Sequence, residues 1–142
     1  MKTSKEVLTS ILKTTQMGQI GIRSVLKSKL DTCLRSELRT QLEEYDAIEK
    51  EAYGIAASKG WRLSELNPGI KAMTNIMTIP RLSFGNINSK AAAMVINGNT
   101  RGIIKGHKNI NQYAVSDQRI QALAEKLINF EEINNKHLQG FL

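Results

Sequence analysis

Apolar residues follow one another at intervals of three or four positions through residues 31–59. At about 100° per residue, this spacing keeps them within one narrow arc of an α-helix. The arc contains Leu34, Leu38, Leu42, Tyr45, Ile48, Ala52 and Ile55. We therefore predict a helix from about Asp31 to Lys59 that buries this arc and ends at Gly60, a residue suited to a helix C-terminus. Gln41 falls inside the same arc.

Three further segments carry apolar residues at helical spacing. The first predicts a helix from about Ser4 to Lys27, and another predicts a helix that Ser89 caps and that continues to about Asn109. The last begins near Ser116 or Asp117, either of which is a competent N-cap. Each segment has one apolar side, so each predicted helix needs a neighbour to cover it.

Proline and glycine interrupt the third helical region. It begins after Asn67-Pro68, where proline suits a first helical turn, and it breaks near Pro80–Asn88. The chain has 142 residues, only two prolines and 5% aromatic residues, and this composition favours helices over strands. We predict one all-α domain over residues 1–142, folded as an antiparallel up-down-up-down four-helix bundle.

The third helix also contains glycines at a regular spacing. Gly98, Gly102 and Gly106 lie four residues apart, along one side of the helix. Each glycine costs a helix roughly 1 kcal/mol relative to alanine, so three of them need a compensating reason. We predict that they allow a neighbouring helix to pack unusually close.

Positive charge is concentrated in the middle of the chain. The formal net charge is +7, and residues 66–116 carry six basic side chains and no acidic one. Four of these six residues form a basic face on the third helix, namely Lys90, Arg101, Lys105 and Lys108. This face is a candidate site for a polyanion, either nucleic acid or an anionic membrane. The alternative is a solvated face that pairs with acidic residues of a neighbour, and the lack of interleaved aromatics argues against base stacking.

Several functional classes find little support in the sequence. No apolar run approaches the roughly 18 residues that span a bilayer, and the first residues are too polar for a signal peptide. A single cysteine, Cys33, excludes an internal disulfide and a cysteine-based zinc site. The two histidines, His107 and His137, have no metal-ligand spacing. We expect a cytoplasmic protein.

With four helices placed, the chain resembles the ferritin-like superfamily, and in particular an uncharacterised group of small bacterial ferritin-like bundles. The resemblance lies in LRSELRTQLEEYDAIEKEA of the second helix, MVINGNTRGII of the third and LAEKLINFEEINNKHLQGFL of the last. It covers nearly the whole chain and implies the bundle fold, whereas it implies little about function.

Ferritin-like iron proteins hold a dimetal site with glutamates on two helices and Glu-x-x-His on the other two. The resemblance places Glu131 and Asn134 at one such motif, with asparagine instead of histidine. The inward position of the second helix holds Gln41, with Glu44 towards its edge, and that of the third helix holds Asn99. Only Glu131 is a convincing ligand, so we expect that the dimetal site has been lost.

The inward polar residues allow two interpretations. They form either a degenerate metal or small-ligand site, or a buried hydrogen-bond network that fixes the helix register. The set comprises Gln41, Tyr45, Asn99, Glu131 and Asn134.

Three functional hypotheses follow. The first is a non-enzymatic bundle without a cofactor that acts through self-association, as a homodimer, or through partner binding. The second is a metal-binding or redox protein with a degenerate or intersubunit site. The third is a polyanion-binding module that uses the basic third helix.

Overall fold

The computed structural model describes residues 1–66 and 86–142, which form four α-helices and no strand. The helices are α1 Ser4–Leu26, α2 Thr32–Ser58, α3 Ile87–Gln112 and α4 Gln118–Gln139. A single parallel β-bridge joins Lys2 to Tyr113. The all-α, four-helix prediction is confirmed for this part of the chain. The helical region predicted after Asn67 and the break at Pro80 lie outside it.

Side chains at the N-caps explain where the helices begin. Thr3 and Glu6 form a capping box at the start of α1, and Asp117 caps α4 by accepting from the N–H of Arg119. At α3 the cap is Asn86, whose side chain accepts from the N–H of Ser89. The prediction that Ser89 caps this helix is therefore wrong, and the break does not extend to Asn88.

The start of α2 lies beside the start of α3. The backbone N–H of Asp31, the residue before α2, donates to Asn88 Oδ1 in the first turn of α3 over 2.9 Å. At the other end of the bundle, the N–H of Lys2 donates to the carbonyl oxygen of Gln112, at the end of α3. α1 therefore begins where α3 ends.

The fourth helix begins at the same end as α1, because Ser4 Oγ and Ser116 Oγ are hydrogen-bonded over 2.6 Å. The helices thus run up, down, down and up, and the predicted up-down-up-down order is wrong. That prediction assumed short turns throughout. The connection from Lys59 to Asn86 is long enough to run the length of the bundle, since α2, with 27 residues, extends over about 40 Å at 1.5 Å per residue.

The core lies between two helical hairpins. α1 packs most extensively on α2, and α3 on α4, while smaller contacts between α1 and α3 and between α2 and α4 complete the bundle. The predicted apolar arc of α2 is buried apart from half-buried Leu42. Within the described residues, no helix combines the length and the apolar character that a membrane crossing requires.

Candidate functional site

Three polar side chains from three helices meet in the middle of the bundle. Tyr45 Oη of α2 lies 2.7 Å from Asn99 Oδ1 of α3 and 2.8 Å from Glu131 Oε2 of α4. The three residues are 0%, 2% and 1% exposed. The Tyr45 ring also packs edge-to-face on Phe130, with 4.7 Å between the ring centroids. We call Tyr45, Asn99 and Glu131 the polar trio.

Burial sets the protonation of the polar trio. It raises the pKa of Glu131 to about 8, although the hydrogen bond from Tyr45 acts in the opposite direction. The pKa of Tyr45 also lies well above its usual value, first because of burial and then because of the charge on Glu131. At neutral pH the carboxyl group is therefore mostly protonated. It can donate to the Tyr45 oxygen, while the Tyr45 hydroxyl donates to Asn99.

Several buried polar atoms near the middle of the bundle lack a partner among the described residues. Two of them, Asn99 Nδ2 and Glu131 Oε1, belong to the polar trio. Gln41 and Asn134 were predicted to join the same network, but they do not. Gln41 Nε2 donates to Glu37 instead, because Glu37 lies one helical turn away on α2, and Asn134 Nδ2 is unpartnered.

The donor set does not fit a dimetal centre. No group of three or more His, Cys, Asp or Glu side chains comes together within residues 1–66 and 86–142, and the sequence of residues 67–85 contains none of these residue types. Glu44 is exposed. Each histidine pairs with a single glutamate at the surface, His107 with Glu132 and His137 with Glu37.

A cavity of about 500 Å³ opens between α1 and α3. The polar trio lies along its wall, together with apolar side chains and with glycines from both helices. The other lining residues in the described part of the chain are Lys13, Thr14, Met17, Gly18, Gly21, Ile22, Val25, Leu66, Met94, Val95, Asn97, Gly98, Arg101, Gly102 and Lys105. Cavities of this size accommodate small organic molecules.

The glycines of α3 have different surroundings. A Cβ atom at Gly102 would lie 2.3 Å from Glu131 Oε2, and one at Gly106 would lie 2.6 Å from Ile128 Cγ1. The close approach at both positions is thus to side chains of α4. Gly98 is exposed, and a Cβ atom there would meet no atom within 4 Å. The prediction of close packing is wrong for Gly98, because the cavity lies beside it.

Glycines of α1 have a matching arrangement. A Cβ atom at Gly18 would lie 2.4 Å from Tyr45 Cζ, whereas one at Gly21 would meet nothing within 4 Å. Their positions in the sequence show that both glycines belong to the first helix, but they do not show that one of them lies against Tyr45 and the other beside a cavity. The periodicity of one helix cannot give the distance to its neighbour.

The predicted basic face divides into two parts. Lys90, Arg101, Lys105 and Lys108 are all exposed, but only Arg101 and Lys105 line the cavity. Lys13 of α1 joins them there, a residue that the sequence analysis missed. In the described part of the chain, no carboxylate forms an ion pair with these three cations.

Comparisons of the chain with protein-family models, with curated proteins and with solved structures gave no significant match.

Proposed function

We propose that the protein is a ferritin-like helical bundle without a dimetal centre, and that it acts by binding rather than by catalysis. The helix order supports the ferritin-like assignment. α1 and α2 form one hairpin, α3 and α4 form another, and a single long connection joins the hairpins. That connectivity is characteristic of ferritin-like bundles.

One observation carries the binding function. At the centre of the bundle, the three helices α2, α3 and α4 contribute Tyr45, Asn99 and Glu131, and the Tyr45 hydroxyl group lies within hydrogen-bonding distance of the other two side chains. A divalent ion requires several carboxylate or imidazole ligands at one point. The polar trio supplies one carboxyl group, and burial disfavours its charged form by raising its pKa to about 8.

The polar trio is also poorly suited to catalysis. Its three side chains are almost fully buried. Tyr45 retains its proton because its pKa is raised, and the described residues place no nucleophile paired with a base beside it. The trio instead fixes the register of three helices, and the cavity beside it is available for binding.

Elemental analysis of the purified protein tests this proposal. We expect no stoichiometric iron, manganese or zinc after purification without chelators, and none after dialysis against each ion. The Glu131→Gln variant provides the control, since it keeps the size of the side chain and removes the one buried carboxyl group. One or two metal ions per chain that this substitution abolishes would overturn the proposal and favour the metal-binding or redox alternative.

Self-association as a homodimer stays a prediction, and light scattering of the purified chain measures it. Polyanion binding by the whole basic face also stays a prediction. Of the four residues of that face, only Arg101 and Lys105 line the cavity, which favours a small anion over an extended one.

A further inference from the structure

The cavity between α1 and α3 combines three properties that recur in binding sites for organic anions. It has an apolar wall, it has cations without a carboxylate partner, and it is large enough for a small molecule. We propose that it binds a small organic anion with an apolar body, whose charged group contacts Arg101, Lys105 and Lys13. This inference names the ligand class of the proposed binding function and rests on it.

The charges favour an anionic ligand. Lys13 approaches the cavity from α1, and Arg101 and Lys105 approach it from α3. No described carboxylate pairs with any of them, and residues 67–85 contain no acidic side chain in their sequence. Cations that line a cleft with low-dielectric walls attract anions to it. An arginine beside lysines suits a carboxylate, phosphate or sulfonate group.

The apolar wall favours a ligand with a hydrocarbon body. Ile22 and Val25 of α1 and Met94 and Val95 of α3 line the cavity, as does the exposed Met17. Methionine side chains adapt to ligands of different shape. An inorganic ion would satisfy the cations but would leave this apolar surface in contact with water.

The inner end of the cavity does not repel an anion. Among the lining residues that the structure describes, Glu131 carries the only carboxyl group, and burial raises its pKa to about 8, which favours the protonated form at neutral pH. Asn99 Nδ2 and Glu131 Oε1 lie in the same wall without a partner among the described residues. Two buried polar atoms that nothing satisfies point to a polar atom of a ligand, or to a water molecule that accompanies it.

The site can be tested by calorimetric titration of the full chain with decanoate. Decyltrimethylammonium, which has the same hydrocarbon chain and the opposite charge, and inorganic phosphate, which has the charge alone, are the comparison probes. We expect saturable one-to-one binding of decanoate only. Equal binding of decyltrimethylammonium, stronger binding of phosphate, or no saturation by decanoate in the millimolar range would each overturn the proposal.

Two glycine variants locate the binding. Gly98→Leu places a side chain in the cavity, where a Cβ atom meets nothing within 4 Å. Gly54→Leu makes the same change at an exposed position of α2 that is equally open and lies outside the cavity. We expect Gly98→Leu to weaken decanoate binding by about tenfold or more and Gly54→Leu to leave it unchanged. Equal affinities for the two variants would place the ligand elsewhere.

Two double variants test the charges. Arg101→Gln with Lys105→Gln removes two cations from the cavity, and Lys108→Gln with Lys136→Gln removes two exposed cations that do not line it. Both changes lower the net charge equally. We expect a loss of about tenfold or more in the first case, as for a charge-assisted contact, and less than about twofold in the second. Equal losses would show attraction by net charge alone. The proposed function is tested separately: stoichiometric metal that Glu131→Gln abolishes would refute it, whereas the matched glycine and charge variants test the anion site itself.

Discussion

Gly98 and Gly102 lie one turn apart on the same helix, yet one has open space beside it and the other is closely packed. At Gly102 the missing side chain leaves room for the carboxyl group of Glu131, and any added carbon atom would collide with it. At Gly98 the missing side chain leaves open space beside the cavity. Gly18 and Gly21 repeat this contrast on α1, with Tyr45 as the side chain that occupies the space at Gly18.

The contrast shows that glycine in a helix has two separate uses here. Gly18 and Gly102 allow the polar trio to form, because Tyr45 and Glu131 occupy the volume that larger residues would take. Gly21 and Gly98 widen the gap between α1 and α3. The tight pair thus supports the buried polar residues, and the open pair forms the cavity. Four predictions test whether these two regions differ as described.

The largest expected effect is the pH dependence that Glu131 gives to stability. Burial beside Gly102 raises its pKa from 4.5 to about 8. Between these values the folded protein holds a proton that the unfolded chain has released, so the free energy of unfolding falls as the pH rises. The stabilisation is complete below about pH 4.5 and is lost as the pH rises through about 8, and the loss is on the order of 5 kcal/mol.

Urea unfolding at pH 5, 7 and 9 measures this effect, with Glu131→Gln as the control because glutamine does not titrate. The free energy of unfolding of the unmodified protein should fall more steeply with pH than that of the variant. If the two free energies of unfolding fell equally with pH, burial would not raise the pKa of Glu131. The space at Gly102 would then be as accessible to water as the space at Gly98.

The second effect is overpacking at Gly102. In Gly102→Leu the new side chain competes with Glu131 for one space, and we expect a loss of about 3 kcal/mol, at the upper end for overpacked cores. Thermal unfolding measures it, and Gly98→Leu, one turn away, serves as the matched control. An unchanged midpoint for Gly102→Leu would mean that this side of α3 faces solvent.

The third effect concerns the hydroxyl group that joins the polar trio. Tyr45→Phe keeps the ring against Gly18 and Phe130 but removes the hydroxyl group that meets Asn99 and Glu131. Two buried polar groups then lose a partner, and we expect a loss of about 1–3 kcal/mol. Denaturant unfolding of this variant and of Tyr53→Phe, a change at a more exposed tyrosine, provides the comparison. Equal losses would argue against a structural role for the trio.

The smallest effect has the opposite sign. Gly98→Ala should stabilise the protein by about 0.5–1 kcal/mol, because alanine loses less conformational freedom than glycine in a helix and the site has room for its methyl group. Gly54→Ala, at another open helical position, should give a similar gain. If Gly98→Ala were destabilising while Gly54→Ala was not, the cavity would be narrower than the structure indicates.

The residues of the polar trio could be predicted from the sequence, whereas the contrast between the glycines could not. The helical periodicity placed Tyr45, Asn99 and Glu131 on inward faces, and the structure brings these three together. The prediction of close packing agrees with the structure at Gly102 and Gly106 and fails at Gly98. Each step of four residues turns the helix by about 40° beyond a full turn, so Gly98 and Gly106 point about 80° apart and have different surroundings.

Other features depend on how the helices are arranged and were therefore beyond the sequence pattern. The periodicity of α2 and α3 is the same whether they run in parallel or in opposite directions, so it could not give the helix order. Lys13 belongs to the cavity only because α1 lies next to α3. Gln41 was expected in the network because it lies in the correct arc, but local geometry favoured its own helical neighbour, Glu37.

The helix order divides the chain into two halves that we expect to fold largely on their own before they dock. Contacts within each hairpin close short loops, whereas Tyr45 lies 54 residues from Asn99 and 86 from Glu131 along the chain. Since long loops cost more entropy to close, we expect the polar trio to form only when one hairpin docks on the other. The polar trio would then favour the correct register of the two hairpins, because a hairpin shifted by one turn would leave the buried carboxyl group of Glu131 without its hydrogen bond to Tyr45.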